Sequence, residues 1–458
     1  MTTSLFIVTE HTVDTQYIRE YPRATTTQDA PLKLIVKKYT PVDNLDPQAG
    51  DVTLVGFHGA GIPKELYEPL WEEILARCKR DKIGVRAIWF ADAANKGASG
   101  IHNEQYLGND REITHAIPCG RSQILTIYTH GIAGWMDHSR DMLLMINHFR
   151  KEMPQPIMGV GHSLGTTQLI FLSMLHPRLF TGLIIIEPFF APNMDKNDSP
   201  LLVLMALSKK DVWPSREEAA EKGRKVFPQW DERVFSRWVK HGYRDLPTLL
   251  YPETGKGTSG TPVTLSTTKH QEVLMYTRPN LGRHQELGLP QTGEEDERPP
   301  PHDSLFYPDV LGKLPKGYQF YRYESILAWK MLPHVRPSVL YIGGSKGTME
   351  KSGTLLRGAK RTGTRWGGSG GMEYDRVKHI TIEDAGHDVC LQKITETADT
   401  MTLWIAQEVE RWRGSERRIA AGWEGLSARE KAVFPDEWKE ALKATPMGPW
   451  AKKILSKL

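Results

Sequence analysis

The stretch Gly159-Val160-Gly161-His162-Ser163-Leu164-Gly165 decides the fold. It contains Gly161-x-Ser163-x-Gly165, the pattern of a nucleophile elbow, in which a strand turns sharply into a helix and presents the serine hydroxyl above a sheet. Residues 156–160 before it predict a short buried strand, and residues 166–176 after it predict an apolar helix. Because the pattern lies in the strand–turn–helix context that its mechanism needs, we predict that Ser163 is a nucleophile.

Composition narrows the class of protein. The chain has 458 residues, of which 39% are hydrophobic and 25% charged, and its formal net charge is only +4. This balance does not favour a nucleic-acid partner. No apolar run approaches the ~18 residues of a membrane span. The three cysteines are widely spaced and fit neither a disulfide framework nor a zinc site, so we expect no metal and no cofactor.

Strand-like and helix-like segments alternate along much of the chain. Residues 4–9 and 33–39 predict an antiparallel edge at the N-terminal end. Strands are then predicted at 51–57, 85–90, 156–160, 182–186, 338–342 and 379–382, with helices such as 64–80 and 136–151 among them. Such alternation predicts a mostly parallel sheet flanked by helices. With the nucleophile elbow, it predicts an α/β-hydrolase fold.

The alternation also predicts the domain organisation. It stops after Pro188 and resumes near residue 338, so we assign residues 1–190 and 335–414 to the hydrolase core and 191–334 to a large, mainly helical inserted lid. Residues 415–458 form a C-terminal extension that ends in Ser456-Lys457-Leu458, a peroxisomal address. We therefore predict a location in the peroxisomal matrix, with the peroxisomal import receptor as a partner.

The catalytic histidine should follow the last predicted strand, because an imidazole in that loop can reach the serine at the carboxyl edge of the sheet. His387 occupies this position. The acid usually follows the preceding strand of the sheet, but the tip of strand 338–342 has no acidic residue before Glu350. Glu187 ends the strand that follows the elbow helix and is our preferred acid, because an unpaired buried carboxylate would be costly. Asp384 is the alternative, and pairing of Glu187 with an arginine stays open.

An oxyanion hole needs two backbone N–H groups directed at the developing negative charge. We assign one to Leu164, which follows the nucleophile, and the other to Ala60 in the turn His58-Gly59-Ala60-Gly61 after a predicted strand. Ser163 would attack a carbonyl while His387 accepts its proton, forming an acyl-enzyme that water then hydrolyses. A serine nucleophile argues against epoxide hydrolase and dehalogenase chemistry.

Two weaker features leave alternatives open. The segment 346–365 contains six basic residues and Glu350 as its one acid, and Gly367 to Gly371 follow. This segment could bind the phosphates of coenzyme A, or it could be a solvated loop. The aromatic residues of the lid could line an acyl pocket or form the core of the lid; they are Trp213, Trp230, Trp238 and Tyr243.

The motifs above resemble those of fungal peroxisomal α/β-hydrolases of secondary metabolism. The resemblance rests on the N-terminal hairpin, the turn 58–61, Trp135 with Arg140-Asp141, the elbow, Ile186-Glu187-Pro188, Gly367 to Gly371, Gly386-His387 and the terminal tripeptide. It covers about residues 1–414 and the last three.

The resemblance implies hydrolysis of the coenzyme A thioester of a specialised metabolite, and it suggests a homodimer. It also implies an acid on the strand after the elbow helix, although an aspartate holds that place in the family. The motifs by themselves indicate only a serine acyl hydrolase. An ester or lactone hydrolase, an acyltransferase and a non-catalytic binding protein therefore remain as alternatives.

Overall fold

The computed structural model describes residues 5–108, 134–193, 198–253, 260–279 and 320–455. The chain divides into two compact units, Met1–Glu408 and Val409–Leu458. An eight-stranded sheet forms the centre of the first unit. Its strands are β1 (Phe6–Asp14), β2 (Lys33–Pro41), β3 (Val52–Phe57), β4 (Val85–Ala91), β5 (Ile157–His162), β6 (Gly182–Ile186), β7 (Ser338–Gly344) and β8 (Val377–Ile382).

The spatial order of the strands is β1-β2-β4-β3-β5-β6-β7-β8. β1 and β2 pair antiparallel, as do β2 and β4, whereas every neighbouring pair from β4 to β8 is parallel. The predicted α/β-hydrolase fold, with its antiparallel N-terminal edge, is therefore confirmed. The topology also places the carboxyl ends of β3, β5, β6, β7 and β8 along one edge, where the candidate site lies.

Helices cover both faces of the sheet, as the sequence predicts, and the fully buried strands β3, β5 and β6 pack between them. The α-helices of the core are Glu68–Arg80, Gly97–His102, Trp135–His148, Leu164–Leu175, Thr348–Lys351, Thr354–Arg361, Val389–Gln392 and Ile394–Trp423, and the 3-10 helices are Lys64–Tyr67, Leu332–His334 and Gly371–Tyr374. The sequence pattern predicts one long helix over about residues 389–412, whereas the structure has the short helix Val389–Gln392 followed by Ile394–Trp423, which continues beyond residue 412.

The region between β6 and β7 is mainly helical. Among its described residues, the α-helices are Asp198–Leu207, Arg216–Val226, Glu232–His241, Lys269–Tyr276 and Tyr323–Met331. Its short strands are Val212–Trp213, Tyr243–Asp245 and Val263–Leu265, which form one sheet, and Arg278–Pro279 and Phe320–Tyr321, which form another. We call this segment the inserted region.

The aromatic residues of the inserted region pack against one another. Trp230 stacks on Phe227 with 3.9 Å between the ring centroids, and Trp238 lies 5.5 Å from Tyr243. Trp213 contacts the same Tyr243 ring at 5.2 Å. All but Phe227 are at least nine-tenths buried. These residues therefore form a core for the inserted region, which favours the second of the two interpretations of the sequence.

The basic segment 346–365 extends from the carboxyl ends of the strands to their amino ends. Lys346 follows the carboxyl end of β7 and pairs with Asp384 at 3.2 Å. Arg365 lies at the opposite edge, where its N–H donates to the carbonyl of Pro333, just before β7 begins. Gly368 lies at the same place, since a Cβ added to it would be only 2.6 Å from the Pro333 carbonyl oxygen. The segment therefore does not form one cluster of positive charge.

The second unit contains the end of helix Ile394–Trp423 and the helices Ala428–Ala432, Asp436–Ala444 and Pro449–Leu455. Ser456, Lys457 and Leu458 lie outside the described residues, so the predicted peroxisomal signal has no structural account. Within the part of the chain that the structure describes, we find no helix with the length and apolar character needed to cross a bilayer.

Candidate active site

Ser163 lies at the turn between β5 and the elbow helix Leu164–Leu175. Its backbone has φ 52° and ψ −121°, a strained conformation for a residue with a side chain. A Cβ on Gly161 would lie 2.8 Å from Cα of Thr166, and one on Gly165 would lie 2.3 Å from the carbonyl oxygen of Phe57. Only glycine fits at these two positions, which explains the spacing in the sequence.

The tip of β6 repeats the geometry of the elbow. Glu187 follows β6 directly and has φ 43°, so it too has a positive φ without being glycine. The Ser163 N–H donates to the carbonyl of Ile186 at 2.9 Å, and the Glu187 N–H donates to the carbonyl of Ile342 on β7 at 2.9 Å. Each tip residue is therefore tied to the next strand of the sheet, which fixes where its side chain begins.

The structure brings the three predicted catalytic residues together. His387 Nε2 lies 2.8 Å from Ser163 Oγ, and His387 Nδ1 lies 3.3 Å from Glu187 Oε2. The second distance is long for a charge-assisted hydrogen bond, although such bonds often tighten only when substrate is bound. Ser163 is 7% exposed, and the side chains of Glu187 and His387 are 0% and 47% exposed.

The Glu187 carboxylate occupies the space above the tip of β7. Its Oε1 accepts a hydrogen bond from the Gly344 N–H at 2.8 Å, while its Oε2 faces His387. A Cβ on Gly347 would lie 2.5 Å from Oε1, so the carboxylate fills the place that a side chain at that position would take. Both oxygens therefore have partners, and neither partner is an arginine.

The two other candidate acids have different surroundings. Glu350 Oε2 lies 2.9 Å from His379 Nε2, and its Oε1 accepts a hydrogen bond from the Thr381 hydroxyl at 2.9 Å. Asp384 has a side chain that is 77% exposed and pairs with Lys346. We therefore retain Glu187 as the acid.

Charge around His387 favours its protonated form. Burial alone would lower the pKa of this imidazole, but the hydrogen bond to Glu187 and the negative charges of Asp388 and Glu187 outweigh it and raise the pKa above 6.5. Because nearly half of the side chain remains exposed, solvent limits the penalty for charging the ring. The arrangement therefore stabilises the imidazolium that forms when His387 accepts a proton.

The predicted oxyanion donors lie on two elements that touch. The helix that begins at Leu164 packs so closely on the turn 58–61 that a Cβ on Gly165 would lie 2.9 Å from the carbonyl oxygen of His58. Among the described residues, no hydrogen bond outside a regular element has the N–H of Ala60 or of Leu164 as its donor. This contact is consistent with the predicted oxyanion hole.

The inserted region reaches this site at two points. Trp230 Nε1 donates to Asp388 Oδ2 at 2.9 Å, beside His387. Glu272 lies against the turn that contains Ala60, since a Cβ on Gly61 would be 3.1 Å from the Glu272 carboxyl carbon. The inserted region thus borders both the histidine loop and the turn 58–61.

Sequence reasoning missed two contributors to the site. Sequence patterns give His162 no role beyond its place in the elbow and do not mark Tyr67, yet the Tyr67 hydroxyl lies 2.8 Å from His162 Nδ1. The position of His162 beside the nucleophile was a usable signal for the first. No sequence signal marks Tyr67, because only the fold brings it to His162.

Similarity to known proteins supports the fold and indicates the class of bond on which the protein acts. The chain is 36% identical over 461 aligned residues to the type I acyl-CoA thioesterase mpaH of Penicillium brevicompactum, with 98% of both chains covered. It is 37% identical over 461 residues to the mpaH thioesterase of Penicillium roqueforti strain FM164, again with 98% of both covered. The chain belongs to this family of fungal α/β-hydrolases. It is an enzyme that acts on ester or thioester bonds.

One more distant relative and one solved structure are also similar to the chain. An abhydrolase domain-containing protein of Alternaria alternata, AFT2-1, is 27% identical over 303 residues, which is 64% of this chain and 99% of the relative. The solved structure of the peroxisomal α/β-hydrolase Lpx1 from Saccharomyces cerevisiae superimposes with a TM-score of 0.60 at 16% identity, covering 93% of this chain and all of the other. No family model matches the chain.

Proposed function

We propose that this protein is a serine hydrolase that cleaves the coenzyme A thioester of a specialised metabolite through an acyl-enzyme on Ser163. The observation that carries the proposal is the continuous chain from Ser163 Oγ through His387 to the buried Glu187, with distances of 2.8 and 3.3 Å. Two relatives that cover nearly the whole chain are named acyl-CoA thioesterases, which supports the thioester as the substrate.

The proposed reaction has two halves. In the first, His387 Nε2 accepts the Ser163 proton as Oγ attacks the thioester carbonyl, and the negative oxygen is held by the N–H groups of Ala60 and Leu164. Collapse of this intermediate breaks the carbon–sulfur bond and releases coenzyme A as the thiol, with His387 returning the proton. In the second half, His387 activates a water that attacks the acyl-enzyme and releases the carboxylic acid.

Glu187 would act through His387 in both halves. Its Oε2 accepts the Nδ1–H and stabilises the imidazolium, and its bond to the Gly344 N–H prevents the carboxylate from turning away. The glutamate is one methylene longer than the aspartate of the family. It can therefore reach from the tip of β6 to a position above the tip of β7.

The test is free-thiol release from a panel of acyl-coenzyme A substrates by the wild type and by Ser163→Ala. The proposal predicts release by the wild type and a loss on the order of 10⁵-fold or more in the variant. Hydrolysis of an aryl ester or a lactone with no release from any thioester would favour the ester or lactone hydrolase. Product that appears only with an added alcohol would favour an acyltransferase, and thiol release unchanged by Ser163→Ala would reject the serine mechanism.

We also propose that the enzyme works in the peroxisomal matrix, because Ser456-Lys457-Leu458 matches the tripeptide that directs peroxisomal import from a carboxyl terminus, and Lpx1 is named a peroxisomal hydrolase. Removal of the last three residues from a fluorescent fusion should move the protein from peroxisomes to the cytosol. The matched control keeps Leu458 and the full length of the chain but exchanges Ser456 and Lys457. It should be cytosolic as well, which would show that the tripeptide and not the chain length determines the location. An unchanged distribution would contradict the assignment.

A further inference from the structure

We infer that His162 and Tyr67 are positioning residues, which together tie the turn that carries Ala60 to the loop that carries His387. The inference deepens the proposed function and rests on it. His162 ends β5, immediately before the nucleophile, and Tyr67 ends the 3-10 helix that follows the turn 58–61. Both side chains are almost completely buried, with exposures of 1% and 2%.

Three hydrogen bonds form a continuous path across the site. The Gly59 N–H donates to the Tyr67 hydroxyl oxygen at 3.0 Å. The Tyr67 hydroxyl lies 2.8 Å from His162 Nδ1, and His162 Nε2 lies 3.0 Å from the backbone carbonyl oxygen of His387. The path therefore begins one residue before Ala60 and ends on the backbone of His387.

Only one assignment of the protons satisfies every member of this path. The carbonyl of His387 can only accept, so His162 Nε2 must carry a proton. The Tyr67 oxygen accepts from Gly59, so its own proton is available to His162 Nδ1, which must then accept. His162 is therefore neutral with its proton on Nε2. Burial lowers the pKa of His162 to about 4, and repulsion from His387 whenever that ring is protonated acts in the same direction, so the neutral state persists across the neutral pH range.

The close packing around His162 indicates that the path is rigid. A Cβ on Gly59 would lie 3.1 Å from His162 Nδ1, so the turn backbone rests directly against the imidazole. The His162 and His387 rings lie 5.5 Å apart. A shift of His162 would consequently move the histidine loop and the oxyanion turn together. The distance from His387 to Ser163 and the position of the Ala60 N–H therefore depend on each other.

The alternative is that His162 only fills space in the core. An apolar side chain could fill the same volume, but it would leave the Tyr67 hydroxyl and the His387 carbonyl without their partner, and such buried groups are costly. A space-filling residue would affect the stability of the protein, whereas a positioning residue would also affect the rate of the chemical step. This difference can be measured.

The experiment compares His162→Leu, His162→Gln and Tyr67→Phe with the wild type, using both an aryl ester and an acyl-coenzyme A. The glutamine amide has an NH2 group that can donate in place of Nε2 and a carbonyl oxygen that can accept in place of Nδ1. Tyr341→Phe is the matched control, because it removes a buried tyrosine hydroxyl that bonds Thr362 at 2.6 Å away from the site. Titration of Ser163 with a fluorophosphonate gives kcat per intact active site.

We expect His162→Leu to lower kcat by about 10- to 100-fold with little change in KM, since an error of about 1 Å in positioning has effects of this size. His162→Gln should recover most of the loss, Tyr67→Phe should lower kcat less than His162→Leu, and Tyr341→Phe should leave it unchanged. Wild-type kcat in His162→Leu overturns the inference. If that variant is insoluble, Tyr67→Phe decides, because an unchanged kcat there overturns it equally. Failure of the proposed function would appear differently, as activity that survives Ser163→Ala.

Discussion

The tips of β6 and β7 are neighbours in one sheet, yet only one of them carries a candidate catalytic side chain. Glu187 leaves the tip of β6 with a positive φ and a buried carboxylate. The tip of β7 ends in Gly343-Gly344, where a Cβ on Gly344 would lie 2.5 Å from the carbonyl oxygens of Ala385 and Gly386. The β7 tip is therefore too closely packed against the histidine loop to hold a side chain.

If Glu187 is the acid of the proposed triad, this difference explains how a carboxylate that starts on β6 can reach a histidine in the loop after β8. The β7 tip contributes a backbone N–H, and the longer side chain from β6 contributes the carboxylate that this N–H holds. Gly347 completes the arrangement by leaving room for the carboxylate. The position of the carboxylate relative to His387 thus depends on three chain segments, and each can be changed separately.

Among changes at the two strand tips, the largest effect is expected from Glu187→Gln. This change keeps the shape of the side chain but removes the charge that stabilises the imidazolium, so kcat should fall by about 10⁴-fold. Glu350→Gln is the matched control, because it makes the same change in a glutamate whose oxygens bond His379 and Thr381. Steady-state kinetics on both variants should show at most a small loss for the control. Comparable losses of kcat in the two variants would mean that the carboxylate at the tip of β6 has no special role.

A smaller effect is expected from Gly347→Ala. The new methyl group would lie 2.5 Å from Glu187 Oε1 and would displace the carboxylate from its place between Gly344 and His387. Gly347 has φ −66°, so alanine itself fits the backbone and the effect comes from the contact. We expect kcat to fall by about 10²-fold.

The control for this change is Gly422→Ala, where an added Cβ meets no atom within 4 Å among the described residues. Wild-type kcat in Gly347→Ala would show that the carboxylate does not need the space above the β7 tip.

The pH dependence should respond to Asp388. The acid limb of kcat/KM reports loss of the proton from His387, whose pKa is raised above 6.5. Asp388→Asn removes a negative charge that stabilises the imidazolium, so the pKa should fall and the limb should move to lower pH, with nearly the same plateau at high pH. Asparagine retains an oxygen that can accept from Trp230. Asp384→Asn, which changes an exposed carboxylate, should leave the limb in place, and an unmoved limb in Asp388→Asn would contradict this account.

The smallest effect is expected far from both tips. Arg365 lies at the edge where β7 and β8 begin, so Arg365→Ala should leave KM for an acyl-coenzyme A unchanged within about twofold, a change of less than 0.5 kcal/mol. A several-fold rise in KM would indicate that coenzyme A reaches the opposite edge of the sheet. In that case Arg365 would contribute to binding coenzyme A, although it lies far from the candidate active site.

Much of the fold and of the candidate site could be predicted from local sequence signals. The elbow glycines, the isoleucines of β6 and the loop position of His387 each reflect a local demand of strand, turn or burial. The preference for Glu187 rests on the absence of an acid at the tip of strand 338–342 and on the cost of burying an unpaired carboxylate, and the family resemblance supports it. Two other features depend on contacts between residues distant in sequence. Glu350 lies beside His379, and the basic segment divides between the carboxyl and amino ends of the strands. The path through Tyr67 depends on such contacts as well, so no local pattern reveals it.

The most direct test of the account is a double-mutant cycle between Ser163→Ala and Glu187→Gln, measured as thiol release from one acyl-coenzyme A. If the glutamate acts only through His387 on the serine, its loss should matter little once the serine is gone. The account therefore predicts that Glu187→Gln lowers kcat by about 10⁴-fold in the wild type but by less than about threefold in Ser163→Ala. The same large loss in both backgrounds would show that Glu187 acts independently of Ser163 and would contradict the triad.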